Sequence, residues 1–303
     1  MKLTRLTTEP VLKPVKEHEW EKAGVFNAAV VHHNGLYHMV YRATDLGGDG
    51  KYGKYISALG YAVSVDLLTW HRYKEPVLTN SVPQEQRGPE DPRIVRIDNI
   101  FYMTYVGYRG RVPNDFRICL ATSRDLVHWD RKGILLDEPN KNASLFPVKI
   151  EGKYWLLHRR HPDIWICYSE DLKTWTGHKK IMSPIPDTWN QTRIGIAGPP
   201  VEINEGWFLI FHGVDKLNHY RLGAALLDRE DPSRVLARQF EPIIEPELDW
   251  EINGYVPNVI FSCATVLQGN RIYCLYGGAD TVIGAAYIDL LDVVFEKSSY
   301  QIK

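Results

Sequence analysis

The chain has 303 residues, 44% of them hydrophobic and 12% aromatic, which is enough apolar material for a substantial core and too much for a disordered or low-complexity protein. Its 36 Lys+Arg against 37 Asp+Glu leave no basic footprint for nucleic acid or an anionic membrane, while a compact anion can still be bound locally. Met1-Lys2-Leu3-Thr4-Arg5 leads into polar residues and Pro10 rather than an apolar leader, and no apolar run reaches membrane-spanning length, so the expectation is a soluble, cytoplasmic protein.

In chain order, the first strand signal is Leu36-Tyr37-His38-Met39-Val40-Tyr41, which follows the turn residues Asn34-Gly35. The pattern returns at Ile100 to Tyr105, Lys153 to His158, Gly206 to Phe211 and Arg271 to Tyr276. Between the matching positions Tyr37, Phe101, Tyr154, Trp207 and Ile272 the intervals are 64, 53, 53 and 65 residues, each with room for about four short strands and their turns. A second signature follows three of the runs: Ser64-x-Asp66-Leu67-x-x-Trp70, Ser123-x-Asp125-Leu126-x-x-Trp129 and Ser169-x-Asp171-Leu172-x-x-Trp175. Ser and Asp two apart favour a side-chain-capped turn, and the Trp can pack between neighbouring sheets. The fourth and fifth copies, around Asp228 and Asp289, lack the Trp.

Long amphipathic helices are absent from the pattern, and Gly and Pro punctuate it throughout. Five units of about four strands predict an all-β, five-bladed β-propeller filling residues 1–303 as one domain; a two-sheet sandwich array is the weaker alternative. The residues up to about Asn27 and the segment Val282 to Lys303 are expected to complete or cover blades. Four cysteines (Cys119, Cys167, Cys263, Cys274) stand among apolar neighbours without C-x-x-C spacing, which predicts free buried thiols.

A propeller binds ligands where equivalent positions converge on its axis. The residue after the last aromatic or histidine of each run is Arg42, Val106, Arg159, His212 and Gly277, so Arg42, Arg159 and His212 are predicted to meet. Gly88-Pro89-Glu90-Asp91-Pro92-Arg93 reads as a stiff charged loop ahead of a strand at Ile94 to Ile97, able to hold a catalytic acid still. Asp45 follows the first run. Carboxylates, aromatic faces and Arg forks together suit a polyhydroxylated ligand plus a small anion. No nucleotide-binding, zincin or nucleophile-elbow motif occurs. His32-His33 and His158…His161 could suggest a metal, but adjacent histidines on a strand point to opposite faces, so no metal is expected.

The set Gly24-Val25-Phe26-Asn27, Tyr41-Arg42-Ala43, Glu90-Asp91-Pro92-Arg93, Leu157-His158-Arg159, Arg193-Ile194-Gly195, Phe211-His212-Gly213, Tyr220-Arg221-Leu222-Gly223, Val256-Pro257-Asn258 and Gly278-Ala279-Asp280-Thr281 resembles glycoside hydrolase family 130, the β-mannoside phosphorylases and their hydrolytic relatives. The match runs in order from about residue 10 to 290. The resemblance implies inverting phosphorolysis of a terminal β-mannoside to α-mannose 1-phosphate and a shortened acceptor, with inorganic phosphate as co-substrate and no further cofactor. Asp91 matches the general acid, whose proton passes through the mannose 3-hydroxyl, so one catalytic carboxyl serves where ordinary glycosidases use two. Arg159, Arg193 and His212 match the phosphate site, with Lys141 and Asn142 beside them; Asn27, Arg42, Asp45 and Asp280, with Glu90 and Arg93 flanking the acid, match the sugar site. Position 193 is often Lys in relatives, and Arg keeps the charge. The retained basic cluster favours a phosphorylase over a hydrolase on the same scaffold. The Gly47-to-Tyr55 loop resembles the β-1,2 branch, with β-1,4-mannooligosaccharide phosphorolysis as the alternative. A non-catalytic carbohydrate-binding propeller, which needs no buried acid, is the competing class, and oligomeric state is left open.

Overall fold

A computed structural model describes residues 1–45 and 55–295; most of the Gly47-to-Tyr55 loop, on which the β-1,2 reading leaned, lies outside them. The protein is a five-bladed β-propeller. The first blade is Gly24–His33, Leu36–Thr44, Ser57–Ser64 and His71–Arg72; the second is Gly88–Ile97, Ile100–Tyr108, Phe116–Ser123 and Asp130–Leu136. The third is Lys141–Leu145, Tyr154–Arg160, Asp163–Ser169 and Thr176–Met182. In the fourth, Arg193–Ile196 and Val201–Ile203 both pair with Gly206–Val214, followed by Tyr220–Leu227 and Val235–Arg238. In the fifth, Ile260–Ser262 and Val266–Gln268 pair with Arg271–Gly278, and Val282–Asp289 comes next. The outer strand of that blade comes from the other end of the chain: Thr4–Arg5 lies antiparallel to it, Thr4 opposite Tyr287 and Arg5 opposite Ala286. The five repeated runs are the second strands.

Apolar side chains fill the layer between each adjacent pair of blades, and this burial drives the ring to close. Val40 and Leu59 of the first blade meet Ile94 and Met103 of the second, for example. Trp70, Trp129 and Trp175 pack against three successive layers. The turns before them are capped as expected: Ser64 Oγ accepts from the N–H groups of Asp66 and Leu67, and Asp66 Oδ1 from those of Leu68 and Thr69. Leu67, Leu126 and Leu172 adopt left-handed φ values of 66°, 68° and 61°, a strain that side-chain caps and burial over-determine.

Beneath each second strand lies a clamp that the sequence reading missed. In the first blade Glu21, fully buried, accepts from Tyr41 Oη (2.8 Å) and from Arg72 of the outer strand (3.0 Å). Glu85 repeats this with Tyr105 (2.6 Å) and Arg131 (2.9 Å), and Glu251 with Tyr276 (2.8 Å) and Arg5 (2.7 Å). The corresponding places in the third and fourth blades hold Asn140 with His158, and Asn190, which lies against Gly213 and accepts the N–H of Ile185. Trp20, Trp189 and Trp250, each one residue ahead of a clamp, stack on Tyr41, Phe211 and Tyr276.

The structure corrects the reading of Glu90-Asp91 as a loop. Both residues belong to the first strand of the second blade, Gly88–Ile97, within a bulge between Glu90 and Arg93. The prolines mislead because an innermost strand has one unpaired edge, where a missing N–H costs no ladder bond. The four cysteines are free and buried.

Candidate active site

A cavity of about 500 Å³ opens at one end of the axis. Its side chains come from equivalent places. In each of the first three blades the inner strand bulges, with register lost between Phe26 and Ala29, Glu90 and Arg93, and Lys141 and Ser144. A left-handed residue sits in each bulge, Asn27 (φ 49°), Asp91 (φ 52°) and Asn142 (φ 56°), and all three line the cavity. Short polar side chains tolerate this conformation best, and a bulge re-aims the side chain it carries. Arg42 and Arg159 arrive from second strands, and Asp280 from the turn after the second strand of the fifth blade.

One half of the cavity is built around carboxylates. Asp91 Oδ1 accepts from Asn27 Nδ2 (2.9 Å) and Arg42 Nη1 (3.0 Å), while Arg42 Nη2 donates to Glu90 Oε1 (2.8 Å) and Tyr55 Oη (2.9 Å). Burial pushes the Asp91 carboxyl up, but Arg42, Lys141, Arg93 and the Asn27 amide together hold it below the usual carboxylate range. Asp280 goes the other way: burial, with Asp91 and Glu90 adding to it against the pull of Arg42, raises it to about 6. Asn27 Oδ1 is buried and has no hydrogen-bond partner among the described residues. At Gly277, the repeat position facing it, a Cβ would lie 2.8 Å from that oxygen.

The other half is cationic. Lys141, Asn142 and Arg159 from the third blade and Arg193 from the fourth share the wall with Tyr220 and Asn218. Arg193 Nη2 donates to Tyr220 Oη (2.6 Å) and Asn218 Oδ1 (2.9 Å). Burial, opposed by Tyr220 and reinforced by Arg193 and Arg93, lowers Arg159 to about 10. Burial and like charge at Arg159 both favour an anion beside it.

Several predicted residues stand behind the wall. His212 is fully buried, its Nε2 3.5 Å from Asn142 Nδ2, and burial beside Arg159, Arg93 and Arg193 keeps it neutral rather than cationic. Arg93 is buried and donates to the carbonyls of Asp91 (2.9 Å), Ala197 (2.6 Å) and Ile196 (3.2 Å), tying the second blade to the fourth. Glu90 braces Arg42 from behind, and Asp45 accepts the N–H of Ile56 (2.9 Å) at the hairpin ends, outside the described lining. Val106 belongs to an apolar layer. Phe116, Asn218, Val259 and Phe261 line the cavity without having been singled out, since apolar or amide side chains in hairpins carry no chemical signature, and Val256 was quoted only within a motif, with no role. Tyr220 stood within a quoted motif but had no role there.

In the third blade, His158, Cys167 and His178 bring their ligand atoms within 4.8 Å of one another. Asn140 Nδ2 donates to His158 Nδ1 (2.9 Å), leaving His158 Nε2 to carry its hydrogen toward His178 Nδ1 at 3.4 Å. The lone pairs that a metal would need are thus engaged by hydrogen bonds.

A five-bladed propeller whose axial cavity sets two aspartates, Asp91 and Asp280, against a cluster of cations suits a polyhydroxylated ligand lying beside an anion. A family model described as β-1,4-mannooligosaccharide phosphorylase matches residues 2–296, and the chain belongs to that family, glycoside hydrolase family 130. It is 59% identical over 295 residues to a 1,2-β-oligomannan phosphorylase of Thermoanaerobacter sp. (strain X514), covering 97% of this chain and 100% of the relative. A β-1,2-mannobiose phosphorylase of the same organism is 55% identical over 301 residues, covering 97% and 99%. Among solved structures, the β-1,2-mannobiose phosphorylase of Listeria innocua in complex with β-1,2-mannobiose superposes with a TM-score of 0.88 at 25% identity, covering 97% of this chain and 98% of the other.

Proposed function

We propose that this protein is a β-1,2-mannoside phosphorylase, releasing α-mannose 1-phosphate from the non-reducing end of β-1,2-mannobiose or a longer β-1,2-mannooligosaccharide. The observation that carries the reading is the division of one cavity into a carboxylate half around Asp91 and a cation half around Arg159 and Arg193. The names of the two Thermoanaerobacter relatives support the β-1,2 linkage.

Phosphate is held by Lys141, Asn142, Arg159 and Arg193, with neutral His212 backing Asn142. Its oxygen attacks the anomeric carbon with inversion. The glycosidic electron pair leaves on the acceptor oxygen, which takes a proton relayed from Asp91 through the mannose 3-hydroxyl. Asn27, Arg42 and Asp280 hold the sugar. Asp91 must be protonated to act as the acid, yet Arg42 and Lys141 favour its ionised form. A phosphate dianion beside Lys141 offsets that pull, so the co-substrate both supplies the nucleophile and promotes loading of the acid.

The test measures mannose 1-phosphate released from β-1,2-mannobiose with and without inorganic phosphate. Release that requires phosphate is expected, and free mannose formed without phosphate would overturn the reading in favour of a hydrolase. Asp91→Asn should abolish turnover with the fold intact, because an amide of the same shape donates no catalytic proton. Arg159→Ala and Arg193→Ala should each raise the phosphate KM about tenfold or more, from the loss of charge-assisted bonds worth roughly 1.5–3 kcal/mol. Mannoside binding should change much less, and hydrolysis should not appear, since removing a cation installs no base.

A further inference from the structure

The clamp beneath the second strand differs between the two halves of the ring, and the difference follows the cavity. The fifth, first and second blades, which supply Asp280, Asn27, Arg42 and Asp91, hold a buried glutamate there: Glu251, Glu21 and Glu85. The third and fourth blades, which supply Lys141, Asn142, Arg159 and Arg193, hold Asn140 and Asn190, which are just as buried. The tyrosine donors are replaced in parallel by His158 and Phe211.

Asn140 is the better defined of the two. Its Oδ1 accepts the backbone N–H of Arg159 (3.2 Å), and its Nδ2 donates to Glu138 Oε1 (2.9 Å) and His158 Nδ1 (2.9 Å). The bond to Arg159 falls at the mouth of the bulge, where the ladder skips from Lys141–Arg159 to Ser144–Leu157. The amide therefore fixes the separation of the two strands whose ends carry Lys141 and Arg159. Its surroundings are set for a neutral group. Burial pushes His158 down to about 3, helped by Arg160 and His178, and Glu138 is already engaged by Arg160 (2.9 Å). A carboxylate at this place would face the oxygen of Glu138 and a neutral imidazole; Arg160 is already held by Glu138, so the added charge would act on Arg159, whose N–H the residue binds, and on Lys141, which pairs with Arg159 in the ladder.

We propose that Asn140, with Asn190 as its counterpart in the fourth blade, is a positioning residue that holds the clamp uncharged beneath the cation half, so that Arg159 and its neighbours stay available to phosphate. This rests on the phosphate-site reading above. The test compares Asn140→Asp, Asn140→Ala and Asn190→Asp with Glu85→Gln, measuring the KM for inorganic phosphate, kcat, mannobiose binding and thermal stability from pH 5.5 to 8. Each value is divided by the wild-type value at the same pH, which removes the titration of phosphate itself.

Asn140→Asp is expected to raise the phosphate KM about tenfold at pH 8 with mannobiose binding nearly unchanged. That gap should narrow toward pH 5.5, as the new carboxyl or His158 takes up a proton. Asn140→Ala, which loosens Arg159 without adding charge, should give a smaller rise that does not vary with pH. Glu85→Gln should lower stability and leave the phosphate KM at the wild-type value. A phosphate KM unchanged in Asn140→Asp, or a rise no more pH-dependent than in Asn140→Ala, would overturn the proposal; Asn190→Asp carries the same test if Asn140→Asp does not fold. Arg159→Ala in the same series separates the two claims: if it too leaves the phosphate KM unchanged, the phosphate site itself is misassigned.

Discussion

Two aspartates share one cavity and are driven in opposite directions, Asp91 below the usual carboxylate range and Asp280 up to about 6. Arg42 touches Asp91 at 3.0 Å, whereas no hydrogen bond to Asp280 was found among the described residues. Burial therefore goes largely uncompensated at Asp280. A carboxyl whose folded value lies above the unfolded one takes up its proton more readily in the folded state. Asp280 thus costs almost no stability at about pH 3, a growing amount as pH rises from 3.8 toward 6, and a constant amount above that. Asp280→Asn is expected to raise the melting temperature at about pH 7.5, by an amount corresponding to about 1–3 kcal/mol, and to leave it nearly unchanged at about pH 3. Mannoside turnover should fall, because the amide is a weaker acceptor for a sugar hydroxyl. Melting curves at the two pH values check the sign, and equal shifts at both would show that titration is not the cause. At this scale Arg42 and Arg159 were legible because a repeat register carries cations to one axis. Phe116 and Val259 were not, since nothing in an apolar residue distinguishes lining a cavity from filling a core.

The bulge is the element that makes the site. It recurs in three inner strands with Asn or Asp at its left-handed position and a small residue or Pro next: Asn27-Ala28, Asp91-Pro92, Asn142-Ala143. That repeat is present in the sequence but too short to stand out beside the five aromatic strands, and around Asp91 the prolines Pro89 and Pro92 imitate a loop. The fourth blade packs the same region differently, with Gly195 against the bulge of the third. A Cβ at Gly195 would lie 2.5 Å from His212 Cε1 and 2.8 Å from Asn142 Nδ2. Both neighbours are buried, so neither can move aside cheaply. Gly195→Ala is expected to cost about 1–3 kcal/mol of stability and to raise the phosphate KM more than the mannobiose KM. Steady-state kinetics in each substrate, with a melting curve, check it; an equal rise in both would mean that Asn142 does not depend on this packing.

At the scale of the whole molecule, the ring closes through the two-residue strand Thr4–Arg5, the Leu12–Ile283 bridge and the ion pairs of Arg5 with Glu251 and Glu247. The predicted propeller required a closing strand, but Thr4–Arg5 is too short to show a period of two, so its place was not legible. The chemistry of the closure is that of the other glutamate clamps, with the arginine supplied from the far end of the chain. Arg5 donates to both oxygens of Glu251 (2.8 and 2.7 Å) and to Glu247 Oε2 (2.7 Å), while Tyr276 Oη adds a bond to Glu251 (2.8 Å). Glu251 is fully buried, with Arg5 17% exposed. Burial pushes the Glu251 carboxyl up, but Arg5, the N–H groups of Glu247 and Leu248 and Tyr276 bring it below its ordinary value. Its contribution to stability is therefore present above about pH 4.5 and is lost as pH falls through the lowered value. Arg5→Ala leaves a buried carboxylate without its cation and should destabilise by about 3–5 kcal/mol at pH 7. The gap to wild type should shrink in acid, where Glu251 takes up a proton in the variant first. The same change should leave kcat of the folded protein near wild type, since neither residue lines the cavity. Denaturant unfolding at pH 7 and pH 4, with activity at low temperature, measures all three; a gap that is the same at both pH values would place the strength of the closure in the strand pairing rather than in the ion pair.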